Sequence, residues 1–171
     1  PGFVMSAFAF AAGGEAADID TIHDALAGNL CRCTGYRPIV EAMGRVAGLK
    51  VGPVAVAPER SAAASFGDAF FAPRTLDELL ALRTARPEAL LVAGATDLGL
   101  LASRARKAPG TVIHLAHVRE LTAISAGTEQ ITIGAAATYA QAMPALIGAF
   151  PALRPYLSRL GSRQIRAMGT I

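Results

Sequence analysis

Helical periodicity fills the first fifty residues and then fades between Lys50 and Gly67, where Pro53, Pro58, Ser61 and the Ala62-Ala63-Ala64 run take its place. Prolines and a tract of small residues interrupt any packed element, so this stretch reads as a linker. It divides the chain into residues 1–50, a linker at 51–66, and residues 67–171. The 171 residues are 53% apolar, which excludes a disordered tail and allows a sizeable core on each side of the break.

Three helices are expected before the linker. Pro1 suits a first helical turn, and Phe3, Val4, Ala7, Phe8 and Ala11 fall on one face before Gly13-Gly14 stops the run. Asp18 can cap a second helix, with Ile19, Ile22 and Leu26 as its apolar stripe and Gly28 as its stop. Pro38 opens a third, which turns Ile39, Met43 and Val46 inward and ends at Gly48. After the linker the pattern becomes mixed α and β. Thr75-Leu76-Asp77-Glu78 reads as a capping box for a helix through Arg83. Leu90 to Ala93 reads as a short buried strand, Asp97 to Arg106 as a helix or helical turn, and Thr111 to Leu115 as another strand. Leu121–Ser125 and Gln130–Gly134 pair as a hairpin about Gly127; Thr138 caps a further helix, and Pro151 opens a last one ending near Gly161.

The charge pattern excludes several functions. The net charge is +3, only Lys50 and Lys107 are lysines, and the arginines are interspersed with acids apart from Arg159, Arg163 and Arg166. A nucleic-acid binder concentrates cations on one face among aromatic partners, and this chain does not. The apolar run Gly2–Ala12 lacks the basic flank of a secretion signal. No stretch reaches the roughly 18 to 20 apolar residues that span a bilayer. With no exporting signal, a cytoplasmic chain with reduced thiols is expected. The start at Pro1 and the stop at Gly169-Thr170-Ile171 suggest that both ends are cuts.

Both cysteines fall in Cys31-Arg32-Cys33. In a turn, such a pair can aim two sulfurs at one metal or cluster iron, and Arg32 and Arg37 nearby favour the thiolate. It can equally be two small apolar residues in a core. Zinc is a further alternative, although His23, His114 and His117 are not at spacings that complete a zinc site. The longer string Gly28-Asn29-Leu30-Cys31-Arg32-Cys33-Thr34-Gly35-Tyr36-Arg37-Pro38-Ile39 resembles the second [2Fe-2S] motif of the xanthine dehydrogenase and aldehyde oxidase family, the molybdenum hydroxylases. Pro1-Gly2-Phe3-Val4-Met5 is similar to the stretch that follows that family's other two ligands. The resemblance implies that Cys31 and Cys33 are two of four ligands. An upstream ferredoxin-like segment would supply the others and carry the first cluster.

Leu90 to Leu98 reads as strand, glycine turn and helix start, an arrangement that can present backbone N–H groups and a helix dipole to a phosphate. Taken alone it is a plain β–α turn as readily as a phosphate site. In its position it resembles the pyrophosphate loop of the family's FAD domain. Phe71-Ala72-Pro73-Arg74-Thr75-Leu76 and Ile133-Gly134-Ala135-Ala136-Ala137-Thr138 resemble further strings of that domain, and Gln164 to Ile171 resembles the start of a second flavin-contacting loop. The resemblance implies FAD contacts at Leu91, Val92, Ala93, Gly94, Ala95, Thr96, Asp97, Leu98, Leu160, Gly161 and Thr170. His114 and His117 read as packing or surface residues, and Asp97 as a turn residue rather than a base.

The fold implied is α+β: a helical bundle carrying a [2Fe-2S] site, then an α+β FAD-binding domain incomplete at its C-terminus. The function implied is electron transfer in an oxidoreductase. Electrons would run from a molybdenum cofactor on a molybdopterin-binding large subunit through [2Fe-2S] clusters to FAD and NAD. Gly35-Tyr36-Arg37-Pro38-Ile39 and the cluster-then-flavin order favour the bacterial xanthine dehydrogenase branch, oxidising hypoxanthine and xanthine to urate in an α2β2 assembly. A hydroxylase of aldehydes, heterocycles or carbon monoxide is the alternative. A non-catalytic helical and phosphate-binding module, or a zinc-stapled scaffold, would lack iron and flavin. No side chain is expected to act as acid, base or nucleophile.

Overall fold

The computed structural model describes residues 1–32, 34–52 and 67–171. Most of the expected linker, residues 53–66, therefore lies outside the described residues. The chain forms two compact units: Pro1–Glu59 with Ser158–Gln164, and Arg60–Leu157 with Ile165–Ile171.

In the first unit α1 (Gly2–Gly13), α2 (Ile19–Leu26) and α3 (Tyr36–Val46) enclose one core. Phe10, Ile22, Ala25, Leu26 and Met43 are buried in it, flanked by Phe3, Ala7, Ile39, Val40 and Ala47. The face expected of α1 is corrected: Val4 and Phe8 are exposed, and Phe10 takes the buried place beside Phe3, Ala7 and Ala11. This helix is apolar nearly all round, so its sequence does not mark which stripe turns inward. Ile19 is likewise exposed, and Ala25 replaces it in the core. The cap of α2 is as expected, since the Asp18 carboxylate accepts from Thr21 N at 2.9 Å and from Thr21 Oγ1 at 2.6 Å. α3 starts two residues before Pro38, which sits in the first turn where a missing N–H costs nothing.

In the second unit β1 (Phe70–Phe71), α4 (Leu76–Ala85), β2 (Leu90–Val92), α5 (Leu100–Ser103) and β3 (Val112–His114) build a parallel sheet of order β1-β3-β2. Leu91 pairs with Ile113 and Val92 with His114. Leu79, Ala89, Ile113 and Val118 form the core against this sheet. Only Val92 of the expected buried strand is buried, and Leu91 faces out. Thr75 caps α4 through Glu78 N, while the Glu78 carboxylate accepts from Arg74 N at 2.7 Å, one residue upstream of a capping box's usual closure.

A helical turn, α6 (Arg119–Thr122), leads into the antiparallel hairpin of β4 (Ile124–Ala126) and β5 (Ile131–Ile133). α7 (Tyr139–Ala149) opens on a full capping box between Thr138 and Gln141. The helix expected from Pro151 is a 3-10 turn (Pro151–Leu153) followed by α8 (Arg154–Leu157). Where a loop was expected after Gln164, α9 (Arg163–Met168) forms first, and Gly169–Ile171 then run beside Ala137–Tyr139. Among the described residues no helix is long and apolar enough to cross a membrane.

Candidate functional site

Cys31 begins the turn between α2 and α3. Its N–H donates to Tyr36 Oη at 3.2 Å; its sulfur lies 3.3 Å from Thr34 Oγ1 and accepts from Thr34 N at 3.5 Å. Donors aimed at a ligand sulfur stabilise its thiolate form and tune a bound centre. Arg37 pairs with Glu41 at 3.3 Å rather than with the sulfur, and both side chains are exposed. Cys33 lies outside the described residues. Among the described residues no group of three or more His, Cys, Asp or Glu is placed to hold a metal ion. A [2Fe-2S] cluster takes four thiolates and the chain has two cysteines, so its own residues do not fit a complete cluster.

The second site grows out of the parallel sheet. β2 ends at Val92, and a turn of seven residues, 93–99, follows before α5 begins. The N–H groups of Gly94, Ala95, Thr96, Asp97 and Leu98 donate to no acceptor among the described residues. Ala95 holds the left-handed conformation (φ 56°), which costs an L-residue roughly 1–2 kcal/mol and is sustained where surrounding structure fixes it. Gly94 is required by close approach, because a Cβ there would run into the backbone of Met168. α5 is only four residues long, so the attraction for an anion comes from the turn's amides rather than from a helix dipole.

Ala93, Gly94 and Ala95 line a cavity of about 250 Å³ together with His114, Ala116, Ala136, Thr138, Ala167, Met168 and Thr170. Thr170 is held there by an antiparallel bridge to Thr138, with Tyr139 N donating to Gly169 O at 2.9 Å and Ile171 N to Ala137 O at 3.1 Å. Among the described residues that line it there is no lysine or arginine, and His114 is the one titratable group. Burial lowers the His114 pKa below its ordinary 6.5; the bond to Ala93 O opposes this and neighbouring His117 adds to it.

The Val92 side chain is buried and its carbonyl accepts from Leu115 N at 2.8 Å. Leu91 and Thr96 are exposed. Asp97 and Leu98 line a separate open depression of about 320 Å³ with Leu100, Leu101, Arg104 and Ala105. Leu160 and Gly161 (φ 57°) lie in the first unit, in the turn ahead of α9. The cavity's alanines give almost no signal by themselves, although the 133–138 string singled out in the sequence contributes Ala136 and Thr138. His114 was legible only as a histidine on an apolar strand.

The residues present fit part of a dinucleotide. Free consecutive amides suit a diphosphate, and small side chains let it reach them. The cavity is below the range of about 300–1,000 Å³ typical of drug-sized ligands.

Residues 64–171 match the family model described as the FAD binding domain in molybdopterin dehydrogenase, and residues 1–44 match a [2Fe-2S] binding domain. Aldehyde oxidase 2 of Macaca fascicularis is 26% identical over 237 aligned residues, taking in all of this chain and 18% of that protein. Xanthine dehydrogenase of Oryza sativa subsp. japonica is 58% identical over 43 residues, 25% of this chain and 3% of that one. The chain thus spans under a fifth of the length of these relatives. Among solved structures, quinoline 2-oxidoreductase from Pseudomonas putida 86 superposes with a TM-score of 0.52 and 28% identity, covering 60% of this chain and 36% of that one. Two family matches in the order cluster domain, then flavin domain, place this chain in the molybdenum hydroxylase family of oxidoreductases.

Proposed function

We propose that this chain is the iron–sulfur and FAD segment of a xanthine dehydrogenase of the bacterial type. It relays electrons from a molybdenum cofactor on a molybdopterin-binding subunit, by way of [2Fe-2S] clusters, to FAD and then to NAD. Residues 1–50 form the cluster region, 51–66 the linker and 67–171 the flavin region, within a cytoplasmic α2β2 assembly. The carrying observation is the row of free amides at Gly94–Leu98, which follows a cysteine turn in the family's order.

The division of labour follows from the residues. Gly94 to Leu98 bind the diphosphate through their N–H groups, with Thr138 and Thr170 able to add hydroxyls. Ala93, Ala116, Ala167 and Met168 give the cavity small or apolar walls. FAD, when bound, exchanges electrons one or two at a time. Cys31 and Cys33 provide two cluster ligands, and a ferredoxin-like segment upstream provides two. No residue of the chain has to move a proton.

Support for xanthine comes from the Gly35–Ile39 string. A second reading has its own support, since a relative aligned over the whole chain is an aldehyde oxidase. The visible spectrum of the native complex, recorded before and after anaerobic addition of xanthine, separates them. Flavin and iron–sulfur bands bleached by xanthine are expected. Bands bleached by an aldehyde or a heterocycle but not by xanthine would move the assignment to the second reading, and a colourless complex would remove both.

A further inference from the structure

His114 closes β3 and lines the cavity beside Gly94 and Ala95. Its Nε2 lies 3.1 Å from Ala93 O. A carbonyl oxygen can only accept, so Nε2 carries the proton and the neutral ring leaves Nδ1 bare. Two other rings hold the imidazole in place: Phe70 at 6.0 Å between centroids and tilted by 31°, and His117 at 5.8 Å and edge-on at 77°.

This bond acts on the peptide joining Ala93 to Gly94. In a trans peptide the carbonyl and the next N–H point in opposite directions. Fixing Ala93 O on the imidazole therefore turns the Gly94 N–H away from His114, at the head of the row of free amides. Gly94 cannot hold that orientation by itself, because glycine populates both signs of φ about equally. Its contact with the Met168 backbone fixes where it sits, not which way its peptide plane faces.

We propose that His114 is a positioning residue for the diphosphate turn: its Nε2–H···O=C bond to Ala93 orients the first amide that meets the ligand. This rests on the flavin reading and adds a residue to it.

The test compares His114→Gln and His114→Asn in the native complex after removal of flavin. The terminal nitrogen of Gln reaches about as far as Nε2, whereas that of Asn stops near the position of Nδ1. FAD uptake is followed by quenching of flavin fluorescence, and inorganic pyrophosphate is used as competitor. Loss of one net hydrogen bond is expected to weaken both by roughly tenfold in His114→Asn, with His114→Gln restored to near the unsubstituted complex. Equal affinity in His114→Asn and the unsubstituted complex overturns the positioning role alone, as does a Gln variant no better than Asn. An unsubstituted complex that takes up neither FAD nor pyrophosphate overturns the flavin reading, and this inference with it.

Discussion

Asp18 shows how much one side chain fixes at the residue scale. Two hydrogen bonds from Thr21 stabilise its carboxylate and hold its pKa below the ordinary 3.8. A carboxyl with a depressed folded pKa adds stability that is complete above 3.8, where the unfolded group is also ionised, and is lost as pH falls through the lowered value. We predict that Asp18→Ala lowers the thermal midpoint at neutral pH and that the gap to the unsubstituted chain narrows in acid. Asp18→Asn should remain close to the unsubstituted chain at neutral pH, because Asn caps as well as Asp. Helical circular dichroism melts at both pH values check this, and a gap that does not change with pH would refute the charged cap. Such caps were legible because the signal is local: Asp18, Thr75 and Thr138 each reach an N–H three residues on. His114 was not legible as a cavity residue, because its role depends on Ala93, twenty-one positions earlier in the chain.

At the scale of elements, the flavin-side cavity depends on two short segments meeting, the 93–95 turn and the 168–170 stretch. Gly94→Ala forces these backbones apart. Overpacking of this kind costs roughly 1–3 kcal/mol. The expected outcome is a lower denaturation midpoint together with loss of bound flavin, read from the absorbance ratio of flavin to protein. Full flavin content in that variant would show that the close approach is not needed. Sequence reasoning found the strand and the glycine turn but gave the helix dipole too much weight, since helix length is settled by packing and α5 stops after one turn. Nor does the sequence mark α9, because its stretch resembles a flavin-contacting loop. The inward stripe of α1 failed for a different reason. Uniform apolarity carries no phase, and the choice of Phe10 over Phe8 was made by neighbours on α2 and α3.

At the scale of the whole molecule, Arg163 ties a late segment into the first unit. Its guanidinium donates to Asp24 at 2.6 Å and to Glu15 at 2.7 Å, with each side chain about one-third exposed. Hydrogen bonding to Glu15 first, then to Asp24, raises its pKa against the opposing effect of burial. Partial exposure places the pair between a surface bridge and a buried one, so Arg163→Ala is expected to cost about 1 kcal/mol. Arg163→Lys should recover only part of that, because an ammonium cannot match the planar fork. Denaturant titration of the three proteins measures both, and a Lys variant equal to the unsubstituted chain would remove the case for fork geometry. The division into helical and mixed regions was visible as a change of periodicity; the return of Ser158–Gln164 to the first unit left no mark in the sequence, because nothing local distinguishes an arginine with distant acids from a solvated one.

That return has a consequence for synthesis. The first unit is discontinuous, so the ribosome delivers its helices about a hundred residues before the segment that completes it. At 5–20 residues per second Glu15 and Asp24 wait roughly 7–30 seconds for their arginine. A chain interrupted anywhere between the two segments would leave the early helices permanently short of that counter-ion, whatever the fate of the rest.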